Sequence, residues 1–180
     1  MEFGLSDEQK ILIESLRHFI KGQLSPLEEE VETTGRLDPE KAKAIFNKSK
    51  ALGFYAMNIP EEYGGGGLSA VDTCLTEEQF GHAKDILVRR AFGNVYEVLL
   101  VGTEAQKERW LLPSVRGERT HSIAITEPNA GSDAAGIKTR AVKDGDGWRL
   151  SGGKHFISDG AYSDFFVVSA VTDPNAGSKG

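Results

Sequence analysis

The hydrophobic period of this chain changes once, near residue 120, and that change limits the folds open to it. Before it, apolar residues recur at helical spacing. Ser6 followed by Gln9 predicts a capping box, and Leu12, Leu16, Phe19 and Ile20 share one face of the helix it starts. Gly22 and Pro26 loosen or end that helix. Asp38-Pro39 supplies an N-cap and a first-turn proline for the next. Its buried stripe is Ala42, Ile45, Phe46 and Leu52, with Gly53 past its C-terminus. Phe54–Ile59 reads as a short extended stretch, and Pro60–Leu68, with four consecutive glycines, as a loop. Ser69 opens a third helix with Val71, Leu75 and Phe80 inward. A fourth is expected over Ile86–Leu100. Thr103 with Gln106 caps a fifth, with Trp110 and Leu111 facing in.

After residue 120 the pattern is strand-like. His121–Thr126 is one candidate. Lys138–Lys143 alternates, Asp144-Gly145-Asp146-Gly147 turns, and Trp148–Ser151 returns, which is a hairpin signal. Lys154–Ser158 and Phe165–Val171 are two more strands, and Thr172–Gly180 has loop composition. A sheet of so few strands, ending on an unpaired edge, is not a finished domain. The expected class is therefore α+β: an N-terminal all-α helical bundle over 1–119, then an incomplete antiparallel β domain over 120–180.

Composition narrows the partners. A net charge of −6 argues against a nucleic-acid partner. No apolar run approaches a membrane span, and the N-terminus lacks the basic-then-apolar order of a signal peptide. One cysteine, Cys74, excludes an internal disulfide and a cysteine metal cluster. A cytoplasmic location is the expectation.

The segment A-I-T-E-P-N-A-G-S-D (Ala124–Asp133) carries the chemistry. Pro128 has a fixed φ and no N–H, so it stops the strand. Gly131 permits φ > 0 and a close approach. Ser132 adds a hydroxyl beside amides that such a turn can point outward. A concave set of N–H donors with a hydroxyl suits a phosphate or a flavin edge; read alone, the decapeptide is also an ordinary polar turn between strands.

Four blocks in order carry a family resemblance: I-P-E-E-Y-G-G-G-G-L-S (Ile59–Ser69), G-T-E-A-Q-K-E-R-W-L-L-P (Gly102–Pro113), T-E-P-N-A-G-S-D followed by G-I-K-T-R-A (Gly136–Ala141), and G-G-K-H-F-I-S-D-G (Gly152–Gly160). Together they resemble the acyl-CoA dehydrogenase family over essentially the whole chain. The resemblance implies a helical domain, a middle β domain and a C-terminal four-helix domain. This chain looks like the first, about half of the second, and none of the third, so it is expected to be a truncated chain.

The resemblance also implies a reaction and its residues. Two hydrogens leave Cα–Cβ of an acyl-CoA thioester, a carboxylate taking the α-proton and FAD accepting hydride at N5. Ile123, Ile125 and Thr126 would lie along the flavin, the Thr126 hydroxyl on its pyrimidine edge. Gly131 and Ser132 would meet the diphosphate, and Ser132 also the CoA. Phe156, followed by Ile157, stands where the family stacks Trp or Phe on the flavin, and Ser158 where it commonly has Thr near N5. Outside that context Phe156 reads as a core aromatic and Ser158 as a turn residue. His155 reads as structural or surface rather than catalytic. Glu127 belongs to the cofactor loop, and the catalytic glutamate of the C-terminal domain has no counterpart, so no catalytic residue is assigned. Electron-transfer flavoprotein is the implied electron acceptor, and a homo-oligomer the implied assembly.

Lys84, Arg89 and Arg90 fall on the stretch that partly lines the family's acyl pocket. Lys84 or one of the arginines is a candidate for a polar or anionic acyl end; the other reading is a solvated helix face. Three functional readings stand: a fragment of a flavin-dependent acyl-CoA dehydrogenase, a base-less binding or assembly relative completed by another chain, and a flavin oxidase or monooxygenase cousin. The first is favoured, and the chain alone is expected to be inactive.

Overall fold

The computed structural model describes residues 4–93 and 95–177. The start of the N-terminal reading, position 94 within the fourth expected helix, and the end of the expected terminal loop lie outside the described residues. The chain divides into two compact units, one ending at Glu118 and the other starting at Arg119.

The first unit is helical: α1 (Asp7–Phe19), α2 (Glu28–Thr34), α3 (Pro39–Ala51), α4 (Ala70–Phe80), α5 (Asp85–Ala91), α6 (Glu104–Gln106) and α7 (Leu112–Val115). Local chemistry starts α1, α3, α4 and α6 where the residues predict. Ser6 Oγ accepts Gln9 N–H at 3.1 Å, and Gln9 Oε1 accepts Ser6 N–H at 2.9 Å. Asp38 Oδ1 caps α3 through the amides of Glu40 and Lys41. Thr103 and Gln106 form a second capping box. Leu16, Phe19, Leu24, Ile45, Phe54, Phe80 and Leu87 belong to the main core, and each such side chain contributes about 1.5–3 kcal/mol on burial. A smaller cluster gathers Ile59, Val95, Leu111 and Val115.

Four expectations fail in this unit for physical reasons. Leu52, expected in the buried stripe of α3, is 53% exposed because the helix ends at Ala51 and Leu52 is its C-cap. Val71 is 62% exposed; nine residues at about 100° each put it opposite Phe80 on α4, whose buried face is Thr76, Gln79 and Phe80. The fourth helix ends at Ala91. Gly93 takes φ +83° with the Tyr55 ring where a β-carbon would stand, and helical hydrogen bonding resumes only as a 3₁₀ turn over Glu97–Val101. Phe54–Ile59 is a turn, bent through Ala56 at φ +55°, rather than an extended stretch.

The second unit holds β1 (His121–Ala124), β2 (Arg140–Asp144), β3 (Gly147–Ser151) and β4 (Phe165–Val168). β2 and β3 form the expected antiparallel hairpin, Ala141 opposite Leu150. β1 and β4 form a separate two-stranded sheet and pair in parallel, Ile123 opposite Val167, so the strands of this unit are not all antiparallel. A parallel pair requires a long connection, and the turn, the hairpin and the Phe156 segment all lie within it. The strand expected over Lys154–Ser158 does not form: Phe156 sits at φ +56°, which breaks an extended chain. The buried residues are small or polar, among them His121, Ser122, Ala124, Glu127 and Thr139, whereas Val142, Trp148 and Leu150 of the hairpin are exposed. Among the described residues no helix is long and apolar enough to cross a membrane.

Candidate functional site

β1 has a bonded edge and an open edge. Ser169 N–H donates to Ala124 O at 3.1 Å, so the even-numbered residues of β1 bond to β4. The N–H and C=O groups of Ile123 and Ile125 therefore turn the other way. Ile125 O accepts Lys154 Nζ at 2.8 Å. The Ile123 groups and the Ile125 N–H have no partner among the described residues, and neither does the Thr126 hydroxyl. Thr126 O accepts the His155 amide at 2.9 Å, which joins the Phe156 segment to the end of β1.

The turn after β1 is closed by Glu127 and Ala130, each accepting the other's amide, at 2.9 and 3.2 Å. The Glu127 carboxylate is 9% exposed as a residue. Its Oε1 accepts Thr139 N–H and Lys154 Nζ, both at 2.9 Å, and its Oε2 accepts Lys138 N–H at 2.7 Å. Lys154 foremost, then the Thr139 and Lys138 contacts, hold its pKa down to about 2. A carboxylate so occupied is a poor proton acceptor, so Glu127 organises the turn and is no base. Beyond it, Gly131 and Ser132 are exposed, and their amides and the Ser132 hydroxyl have no partner among the described residues. Gly131 does not use a positive φ, contrary to expectation. The space beside it is open, since a β-carbon there would meet nothing within 4 Å.

Phe156 is 83% exposed and left-handed, with its ring stacked on His155 at 4.1 Å between centroids and 22° between planes. A bulky residue at positive φ is a genuine outlier, and such a conformation costs on the order of 1–3 kcal/mol. Exposure returns none of that through burial, so Phe156 is no core aromatic. Ile157 is half-buried and Ser158 exposed. The Ser158 carbonyl accepts Ser122 Oγ at 2.6 Å, and Ser122 Oγ lies 2.6 Å from Ser163 Oγ. Asp159, also left-handed, accepts Ser163 Oγ at 3.1 Å.

The donor set can be tested against a flavin nucleotide. A flat heteroaromatic ring needs an aromatic face and donors and acceptors along one edge; a diphosphate needs amides and hydroxyls. Phe156 offers the face, the open edge of β1 with Thr126 the edge groups, Ser158 a further hydroxyl, and Gly131-Ser132 the anion donors. These residues fit the group in kind. Hydrogen bonds join β1, Thr126, Phe156 and Ser158 into one patch, whereas no hydrogen bond among the described residues ties Gly131 or Ser132 to it.

Lys84 and Arg89 lie in the helical unit, each beside an acid. Lys84 precedes α5 and pairs with Glu32 at 2.5 Å, whose carboxylate raises its pKa. Arg89 pairs with Asp85 one turn back and lines a cleft of about 410 Å³ with Phe80, Val88 and Phe92. Sequence reasoning missed Lys154, Ser122 and Ser163. The only signal for Lys154 was its place two residues before Phe156; nothing marked the serines. Among the described residues no cluster of His, Cys, Asp or Glu could hold a metal.

A helical unit followed by a small β unit that displays an exposed aromatic and free edge donors is an α+β architecture suited to a ring-shaped cofactor. Residues 6–118 match the N-terminal domain, and residues 122–180 the middle domain, of acyl-CoA dehydrogenase. The chain belongs to the acyl-CoA dehydrogenase family. It is 37% identical to the 3-(aryl)acrylate reductase of Clostridium sporogenes, over 96% of this chain and 46% of that protein. It is similar to the glutaryl-coenzyme A dehydrogenase glutaryl-CoA complex at a TM-score of 0.85 and 31% identity, covering 100% of this chain and 46% of that one. The FAD complex of PigA is similar at a TM-score of 0.81 and 27% identity, over 97% and 46% of the two chains. The chain spans about half the length of these relatives.

Proposed function

We propose that the chain supplies the helical domain (1–119) and the cofactor wall (120–180) of an FAD-dependent acyl-CoA dehydrogenase that desaturates an acyl-CoA thioester between Cα and Cβ. The observation that carries this reading is Phe156, a large aromatic held exposed in a costly conformation beside unpartnered edge groups of β1. Family membership supports it.

FAD, when bound, supplies the acceptor for the Cβ hydride. The chain's own residues hold and orient it: the backbone of Ile123 and Ile125 with the Thr126 hydroxyl for the ring edge, Phe156 and Ile157 for one face, Gly131 and Ser132 for the diphosphate. Ser132 also serves the CoA portion of substrate. The Ser158 hydroxyl would offer a hydrogen-bond donor to the ring near N5 and so help orient it. No residue here is assigned to α-proton abstraction; Glu127, at a pKa of about 2, lacks the proton affinity for it. Lys84 or Arg89 meets a polar acyl end in this reading, at the expense of its present acidic partner. Electron-transfer flavoprotein as electron acceptor, a homo-oligomeric assembly and a cytoplasmic setting complete the proposal.

The test is FAD titration of the purified chain followed by flavin fluorescence. Quenching with saturation is expected; no change in fluorescence overturns the reading. Butyryl- or octanoyl-CoA with FAD and an artificial electron acceptor should give no turnover, and turnover above blank overturns the assignment of the base elsewhere. Equal affinity for glutaryl- and hexanoyl-CoA overturns the role of Lys84 and Arg89.

A further inference from the structure

We infer that Lys154 is a positioning residue for the flavin site, its ammonium tying the Ile125 carbonyl to the Glu127 carboxylate and so fixing Phe156 against the end of β1. The inference rests on the flavin reading above and extends it to a residue outside the ring-contacting set.

Lysine is almost never buried unless paired, and the Lys154 side chain is only 11% exposed. Its Nζ donates to two different segments, Ile125 O at 2.8 Å and Glu127 Oε1 at 2.9 Å. Neither acceptor is free to follow it. Ile125 continues from β1, and Glu127 is pinned by the Lys138 and Thr139 amides. The next residue, His155, is fixed in turn by its amide on Thr126 O. At the far end Ser122 Oγ holds the Ser158 carbonyl. The backbone is thus held on both sides of Phe156 and Ile157, and the left-handed conformation of Phe156 is the geometry that spans the gap. The ammonium also decides what the open edge of β1 offers. By occupying the Ile125 carbonyl it leaves the Ile125 N–H and the Ile123 groups as the free ones, so the edge presents a defined order of donors and acceptor.

The test compares Lys154→Met, Lys154→Arg and the charge-free double variant Glu127→Gln/Lys154→Met, in the whole chain. Lys154→Met should weaken FAD binding by about tenfold or more, shift the absorption of bound flavin, and speed exchange of the His155 amide, with exchange in α1 and α4 unchanged. Lys154→Arg keeps the charge and two donors and should recover most of the affinity. The double variant leaves no buried charge unpaired, so it reads positioning apart from folding; it should still bind FAD weakly. FAD affinity in both Met variants within about twofold of wild type overturns the inference, as does unchanged His155 exchange. Wild-type chain that takes no FAD overturns the flavin reading itself, and the His155 exchange contrast then judges the clamp alone.

Discussion

Gly152 lies against Thr139 so closely that a β-carbon built on it would stand 2.4 Å from the Thr139 hydroxyl oxygen and 2.7 Å from its Cα. Its φ of +151° is also one that side chains rarely adopt. Thr139 in turn gives its amide to Glu127, so relief cannot come from moving Thr139 alone. Gly152→Ala should destabilise the β unit by roughly 2–4 kcal/mol. Amide exchange in β1 and β4 under native conditions measures this; protection equal to wild type would contradict it.

Phe156→Gly separates fold from function. Glycine accepts a φ of +56° without steric cost, and the ring it replaces is largely in solvent. The cofactor-free variant should be as stable as wild type or more stable by up to about 1 kcal/mol. FAD binding should fall by about tenfold or more, the scale of a lost aromatic stack. A variant both less stable and unchanged in FAD affinity would show that Phe156 serves the fold.

Two groups of the β unit make its stability depend on pH in different windows. Burial holds His121 near pKa 4, below its ordinary 6.5. Between those values only the unfolded chain takes up a proton, so the contribution of neutral His121 is complete above pH 6.5 and lost as pH falls toward 4. The shift corresponds to on the order of 3 kcal/mol. Glu127, held near 2 chiefly by Lys154, contributes stability that is complete above 4.5 and lost as pH falls to 2. Urea unfolding across pH 7.5 to 3 should therefore show loss beginning below 6.5. His121→Gln should flatten the upper window and leave the lower one in place.

Ser49 is fully buried in α3 and donates its hydroxyl to the carbonyl of Ala91, the last residue of α5. That carbonyl has no intrahelical partner at a helix end. Ser49→Ala leaves it buried and unsatisfied and should cost about 1–3 kcal/mol. The urea midpoint of the helical unit, read by Trp110 fluorescence, is the measurement, and an unchanged midpoint would refute the bond's role.

Much of the fold was legible because its signals are local. Ser6 with Gln9 and Thr103 with Gln106 act over three residues, and Asp38-Pro39 over two. The hairpin was legible for the same reason. Alternation cannot reveal what tertiary contacts impose. The Tyr55 ring against Gly93 stops a helix whose apolar pattern continues, and the contacts that bend Phe156 out of an extended chain come from β1 and the turn. Of the candidate site, the turn and the aromatic were legible by resemblance. The Lys154–Glu127 pair spans 27 residues, and neither side chain marks its partner in the sequence.

The parallel pairing of β1 with β4 has a kinetic corollary. Everything between these strands, residues 125–164, is one loop that must close before the pair gains any bond. Closure entropy grows with loop length, and non-local pairing slows folding. The hairpin can form inside the loop beforehand, but the bonds of Lys154, His155 and Ser122 cannot mature until its ends meet. These bonds around Phe156 are therefore among the last in this unit to form and among the first to break.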